Sequence, residues 1–447
     1  MLREAWALAI DAMCQIEQKG LNERLALSRS TRRLGIRSPI ARGLAHKLLL
    51  ETVRNQNLLD HIINTVLKPD YIGDLQPSLR AFLRLYTSEV KIKGNGSYEK
   101  ASNIAKTGRS IIGWRRFREI EETLGFLLGL KINKILKGLS DTETVSLRMS
   151  QPLWFVKYCF HLLGRHETLQ FFSSLLTSTP TYIRINTSKM SAEKSLKTIR
   201  RDGITLQKTK DLLHTYKVVD HTQPLPRTPS FKEGLFYIQD KASCLASEVA
   251  APEAGMTVLD ICAAPGAKTS HLAQLMDNRG EIFSIDYSRR RMRIWKGEME
   301  RLNVKNATPL VSDSFHSPPL HEIEADLIML DPPCTSTGVF SRTPSAKWRL
   351  SKKSIKRSAA IQWKMINNCV EPLKKGGFLV YSTCSITVEE NEILIERFLK
   401  WHPEFRLVET KPRIGLPGLR GQTLSQRLFP HIHECNGFFV AKLEKEF

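Results

Sequence analysis

From about residue 256 onward, short apolar runs alternate with amphipathic stretches along the chain. The runs at 258–261, 282–285, 307–311, 326–330 and 377–382 are too short for helices and read as strands, the third more weakly marked than the others. The stretches at 269–276, 289–302, 353–370 and 388–401 read as helices. Strands interleaved with helices imply an α/β fold with a parallel sheet covered on both faces. Ligands of such sheets sit beyond the carboxyl ends of the strands. Residues 1–140 read differently. Apolar residues recur at helical spacing in Ala5-Trp6-Ala7-Leu8-Ala9-Ile10, at 41–50 and at 58–63, and Gly94-Asn95-Gly96-Ser97 reads as a loop. A further amphipathic pair is expected at 111–139, with Arg115, Arg116 and Arg118 on its basic face. Ser150-Gln151-Pro152 interrupts this pattern, and a helical stretch at 154–176 follows it. Thr181-Tyr182-Ile183-Arg184-Ile185-Asn186-Thr187 then alternates at period two, as a half-buried strand does. The expected organisation is a helical domain at 1–140, a small α/β module at 145–235 and an α/β catalytic domain at 236–447.

Charge adds a partner class. Lys and Arg number 67 against 45 Asp and Glu, a net +22. Such an excess attracts polyanions, and neutralising phosphates releases counterions, so nucleic acid is the expected partner. No run approaches the roughly 18 apolar residues of a membrane span. The N-terminus shows no signal-type cleavage site, so a cytoplasmic protein is expected, working as a monomer and without membrane contact. None of the eight cysteines forms a Cys-x-x-Cys pair, so no metal site is expected.

Candidate chemistry gathers at the strand ends. Leu259-Asp260-Ile261 runs into Cys262-Ala263-Ala264-Pro265-Gly266-Ala267-Lys268-Thr269, a strand, a small-residue turn and a helix start. Small residues let backbone approach a ligand, and a helix N-terminus offers free N–H groups. A phosphate-binding P-loop would need glycine at 262 and 267, which are Cys262 and Ala267. Asp286, Asp313 and Asp331 follow the second, third and fourth strands. A lone Asp there is an ordinary turn former. Three in successive units suit an adenosine-bearing cofactor, with Asp286 on the ribose hydroxyls, better than a phosphate-rich one that carboxylates would repel.

Two thiols fall in the same region, Cys334 after Asp331-Pro332-Pro333 and Cys384 after Tyr381-Ser382-Thr383. One such cysteine is ordinarily a small buried hydrophobe; two in neighbouring strand-end loops point to nucleophilic chemistry. A thiolate added at C6 of a pyrimidine makes C5 nucleophilic enough to take a methyl group, splitting one hard step into easier ones. The base must leave its stack to meet the thiol. Enzymes that methylate exocyclic amines typically carry an aromatic residue where this chain has Cys334.

These residues resemble the signature of the RNA cytosine-C5 methyltransferases, the group containing bacterial ribosomal RNA methyltransferase B and the Sun-type proteins. The matching segments are 259–269, 331–338, 379–386 with Glu389-Glu390-Asn391-Glu392, 237–243, 427–431 and 437–441. The resemblance implies a Rossmann-like S-adenosylmethionine-dependent domain, with Cys384 as nucleophile and Cys334 assisting product release. It also implies that Cys262, Ala263, Ala264, Pro265, Gly266, Ala267, Lys268, Asp286, Asp313 and Asp331 bind the cofactor, with Asp331 close to the target base. The residues alone could not divide the two thiols, since in DNA cytosine methyltransferases the Pro-Cys thiol attacks. Residues 1–140 resemble, through 41–47 and 57–67, a NusB-like RNA-binding domain. Ribosomal RNA is the expected substrate, with transfer RNA, or an RNA-binding assembly factor without turnover, as alternatives.

Three departures from the family pattern stand out. Ala267 and Ser336 replace usual glycines, and Lys241 replaces a usual acidic residue. A positive φ at such a glycine position would cost a side-chain-bearing residue about 1 kcal/mol. Arg184 and Asn186 of the small module are expected either to face RNA or to brace the fold.

Overall fold

A computed structural model of the chain describes residues 1–67, 70–93, 97–315 and 323–447. They divide into two units, Met1–Ser178 with Phe340–Arg349, and Thr179–Val339 with Leu350–Phe447.

In the first unit, apolar stripes bury one face of each helix. Leu2–Lys19 turns Ala5, Leu8, Ala9 and Ala12 into the core and stops at Gly20, whose φ of 62° suits glycine. Trp6 and Phe117 flank Phe82, with ring centroids 5.8 and 5.1 Å away. Of the loop expected at 94–97, only Ser97 lies within the described residues. It caps helix Tyr98–Ile112 by accepting from Lys100 N. The pair expected at 111–139 is broken into the short helices Trp114–Phe117, Glu121–Gly129 and Ile132–Ile135. The stretch expected at 154–176 is two helices, Leu153–Leu163 and Arg165–Leu176, parted where Gly164 adopts φ 77° and ψ 167°. Both belong to this helical unit.

The segment Phe340–Arg349 reaches this unit from much later in the chain. Ser345 N donates to Glu23 Oε1 at 2.5 Å, and Trp348 Nε1 donates to Val53 O at 2.6 Å. Lys347 is fully buried there and donates to Arg54 O at 2.8 Å and Ser150 O at 2.5 Å. Burial, with Arg54 nearby, pushes its amine well below the usual lysine range.

The second unit opens with a small antiparallel sheet. Its strands are β1 (Thr181–Ile185), β2 (Ile204–Lys208), β3 (Thr215–His221) and β4 (Phe236–Ile238), in the order β2-β3-β1-β4. Arg184 and Asn186 are only 1% and 2% exposed, so of their two expected roles the structure shows the brace. Arg184 donates to Gln239 Oε1 at 2.9 Å and Ser270 Oγ at 2.7 Å, and Asn186 Nδ2 donates to Gly234 O and Leu302 O.

The larger sheet holds β5 (Thr257–Ile261), β6 (Glu281–Asp286), β7 (Ala307–Val311), β8 (Ala325–Leu330) and β9 (Leu373–Thr383). These five are parallel in the order β9-β8-β5-β6-β7. The chain leaves β5 towards β6 and later returns to its other side as β8. The switch point therefore falls between the ends of β5 and β8, where open α/β sheets bind ligands. The sheet is not wholly parallel as expected. β10 (Phe405–Val408), β11 (Leu416–Pro417), β12 (Gln426–Leu428) and β13 (Phe438–Lys445) extend it, and β13 runs antiparallel to β9 with Val440 opposite Ser382. The run Phe438-Phe439-Val440-Ala441 is buried throughout, which pins β13 against the strand that leads to Cys384.

Candidate active site

The turn after β5 is built from small residues because it is crowded. Cys262 takes φ 67° and Gly266 φ 106°. A Cβ on Gly266 would lie 2.5 Å from Met299 Cε. Gly266 caps helix Ala267–Leu275 without a side chain, leaving the first N–H groups facing the sheet end. Ala267 does not have a positive φ, so its replacement of a usual glycine carries no backbone strain. Beneath the turn, Thr269 donates to the buried Asp260 at 2.5 Å, and Trp295 Nε1 donates to Thr269 Oγ1 at 3.0 Å. Burial raises Asp260 to about 6.

Asp286 ends β6 at 3% exposure. Its Oδ1 accepts from Ser288 N at 3.0 Å, while Oδ2 accepts no hydrogen bond. Arg291 Nη1 lies 3.0 Å from that oxygen, close enough for charge attraction but not aligned to donate. A buried carboxylate oxygen with acceptor capacity to spare, beside a small-residue turn and a helix N-terminus, fits the ribose of an adenosine-bearing cofactor. Asp313 lies two residues past β7, exposed, its Oδ1 accepting from Phe315 N. Asp331, just past β8, meets Lys268 Nζ at 2.5 Å and accepts from Ser382 Oγ at 3.0 Å. Burial works against the Lys268 ammonium, but Asp331 outweighs it and raises the amine above its usual range. The parallel register of β5, β8 and β9 thus brings Lys268, Asp331 and Ser382 together.

The two thiols meet. Cys334 Sγ lies 3.2 Å from Cys384 Sγ, and Ser336 Oγ lies 3.9 Å from the first and 3.5 Å from the second. Hydrogen bonding from Cys334, aided by Ser336 and Lys268, holds the Cys384 thiol below its ordinary range despite burial. The same hydrogen bond, burial and the nearby Glu390 hold Cys334 well above it. Of the two sulfurs, Cys384 therefore gives up its proton more readily and Cys334 holds its own more tightly. Ser336 does adopt a positive φ, 56°, so here the missing glycine carries real strain. Lys241 is accounted for by a bond to His433 O at 3.0 Å.

Sequence reasoning missed Ser382, Arg291 and Glu390. Ser382 was legible as part of the Tyr-Ser-Thr-Cys run, but its bond to Asp331 depends on the register of β8 against β9. Among the described residues no cluster of His, Cys, Asp and Glu could hold a metal ion, and no helix is long and apolar enough to cross a membrane.

Known proteins resemble the chain in sequence and fold. The profile of the 16S rRNA methyltransferase RsmB/F family matches residues 247–444, and that of the NusB family matches residues 3–101. The probable ribosomal RNA small subunit methyltransferase B of Coxiella burnetii is 32% identical over 64% of this chain and 69% of its own. The tRNA (cytosine(72)-C(5))-methyltransferase of Pyrococcus horikoshii is 39% identical over 51% of this chain and 58% of its own. The 28S rRNA (cytosine(4447)-C(5))-methyltransferase of Homo sapiens is 31% identical over 74% and 43%. The matches thus span about half the length of these last two relatives. The crystal structure of PH0851 matches 100% of this chain and 99% of its own at TM-score 0.83 and 29% identity. NSun6 from Pyrococcus horikoshii with SFG matches 65% and 97% at TM-score 0.60 and 28% identity.

Fold and site together define an S-adenosylmethionine-dependent methyltransferase with an N-terminal NusB-type helical region. The chain belongs to the 16S rRNA methyltransferase RsmB/F family.

Proposed function

We propose that the chain, an RNA cytosine-C5 methyltransferase, acts on ribosomal RNA through a covalent bond between Cys384 and C6 of the target cytosine. The observation that carries this reading is the thiol pair, 3.2 Å apart, set beside the Lys268–Asp331 pair at the switch point of the sheet. When bound, S-adenosylmethionine supplies an electrophilic methyl group. Asp286 and the 262–268 turn, with Asp313, hold it. Cys384, whose neighbours favour its thiolate, adds to C6 and places electron density on C5. Asp331, fixed by Lys268 and Ser382, lies close to the base. After methylation the C5 proton must leave and the C6–S bond must break, restoring the ring double bond and the Cys384 thiolate. The C5 proton passes to a base at the site, and Cys334, whose sulfur lies 3.2 Å from that of Cys384, is the group placed to assist this release.

RNA contact by the helical region and by the small sheet of β1 to β4 completes the reading. Its support is the charge of the chain and a cavity of about 600 Å³ in the helical unit, lined by Lys19, Arg29, Arg33 and Arg116 among others. Transfer RNA is the second reading, favoured by the 39%-identical relative. Incubation with labelled cofactor and separately purified, unmodified ribosomal and transfer RNA distinguishes them. Label confined to transfer RNA would overturn the first.

Two variants test the parts. Asp286→Asn should weaken cofactor binding by roughly tenfold to a hundredfold, because a charge-assisted acceptor is lost. Calorimetry reads this directly, and unchanged affinity would remove Asp286 from the site. Ser336→Gly relieves about 1 kcal/mol of backbone strain. It also adds unfolded-state entropy of similar size. The melting temperature should therefore barely move. The Cys384 thiolate, however, loses a hydroxyl partner, so the alkaline rise of the pH–rate profile should shift to higher pH. An unshifted profile would mean that Ser336 does not serve the thiolate.

A further inference from the structure

Glu390 is fully buried between the two cysteine loops. Its Oε1 accepts from Thr335 N at 2.8 Å and Gln362 Nε2 at 2.9 Å. Its Oε2 accepts from Thr335 Oγ1, from Ser385 Oγ at 2.6 Å and from Thr387 Oγ1 at 2.7 Å. Thr335 follows Cys334 and Ser385 follows Cys384, so one carboxylate grips the residue next to each thiol. Gln362 extends the grip, since its amide also donates to Pro333 O at 3.1 Å.

All five donors are uncharged. Burying a carboxylate without a cation is expensive unless its lone pairs are filled. Only an acceptor-only group can take a backbone N–H, an amide and three hydroxyls at once. An amide in its place would turn an N–H₂ towards one set of donors. Asn391 and Glu392 have separate tasks. Asn391 accepts from Thr383 Oγ1 and donates to Ser385 O, and Glu392 pairs with Arg427. Those bonds hold the Cys384 loop to the strands behind it. Glu390 alone of the three also reaches the Cys334 loop.

We propose that Glu390 is a positioning residue that holds the Cys334 loop against the Cys384 loop, so that release of the methylated base depends on it while attack at C6 does not. Cys384 keeps the support of Asn391, Ser336 and Lys268 without it. The Cys334 loop is also tied to the Cys384 loop by Thr337 and Gly338, through Ile386 N to Thr337 Oγ1 at 2.8 Å and Gly338 N to Cys384 O at 2.9 Å. Between Pro333 and Thr335, however, the carboxylate is joined, among the described residues, only by the Thr335 Oγ1–Ser385 Oγ contact at 3.2 Å and the thiol contact itself. The proposal rests on the thiol roles given under Proposed function.

The test uses the full chain with S-adenosylmethionine and unmodified RNA, resolved on a denaturing gel beside a turnover assay. Glu390→Ala should accumulate a covalent protein–RNA band even though Cys334 is present, with turnover lowered by about tenfold or more. A simple loss of structure would give no band. The band should vanish in Glu390→Ala/Cys384→Ala. If Glu390→Ala fails to fold, Thr335→Val decides. It removes one donor and leaves the carboxylate otherwise paired, and should give a fainter band with turnover down about threefold. A folded Glu390→Ala with wild-type turnover, or one without a band where Cys334→Ala gives one, overturns the proposal. So does a Thr335→Val of wild-type turnover and no band when Glu390→Ala is unfolded. No band from Cys334→Ala itself would instead strike the assignment of the thiols, and the proposal with it.

Discussion

Replacing Cys384 by alanine is expected to lower methyl transfer by about four orders of magnitude, the scale seen when a covalent nucleophile is removed. The neighbouring thiol is only 3.2 Å away, yet it should not substitute. The hydrogen bond with Cys384, burial and Glu390 hold the Cys334 thiol above its ordinary range, and burial and Glu390 persist when Cys384 is removed, while the Lys268 ammonium is left nearest a position that no longer holds sulfur. Folding should be little affected, because Cys384 is half-buried at the edge of the core and the change removes a single sulfur atom. The check is incorporation of labelled methyl groups, with the melting curve and cofactor affinity as controls. A residual rate within about tenfold of wild type would mean that Cys334 attacks, as in the alternative division of the two thiols.

The second large effect is on stability. Arg427 and Glu392 are 1% and 0% exposed and form a two-pronged pair, with Nε to Oε1 at 2.5 Å. Arg427 Nη1 also donates to Ile386 O at 2.8 Å, two residues beyond Cys384. Replacing Arg427 by Met should cost about 3–5 kcal/mol, because it leaves a buried carboxylate whose remaining donor is Leu419 N. Arg427→Met/Glu392→Gln should recover much of that loss, since removing both charges removes the desolvation cost as well. Urea unfolding of the single and double variants measures both. A single variant within about 1 kcal/mol of wild type would show that the pair is not desolvated.

The parallel strands β5, β6 and β8 were legible as short apolar runs, whereas β7 is largely exposed and weakly marked, and β9 begins four residues before its apolar run, in Leu373-Lys374-Lys375-Gly376. Helix Arg289–Leu302 was read to its ends because Ser288 caps it and Asn303 closes it with a left-handed φ of 60°. The C-terminal strands were not legible as an antiparallel extension. Phe438-Phe439-Val440-Ala441 is apolar whichever direction it runs, and only its register against β9 decides. The break at Gly164 was hidden because apolar residues continue on both sides of it. Arg184 and Asn186 looked equally suited to RNA and to a brace, since a buried guanidinium with neutral partners leaves no mark in the sequence. At the site, residue types at the strand ends pointed to the thiols and acids. Which sulfur holds the proton depends on Lys268, Ser336 and Glu390, which come from three separate segments. Glu390 was read only as part of a matching segment, because its donors at 335, 362, 385 and 387 converge only in three dimensions.

The central claim is the covalent bond between Cys384 and the RNA. Its most direct test is to incubate Cys334→Ala with S-adenosylmethionine and unmodified RNA and resolve the product on a denaturing gel. A protein–RNA band that disappears in Cys334→Ala/Cys384→Ala is the predicted result. No band, with RNA and cofactor binding intact, would contradict it.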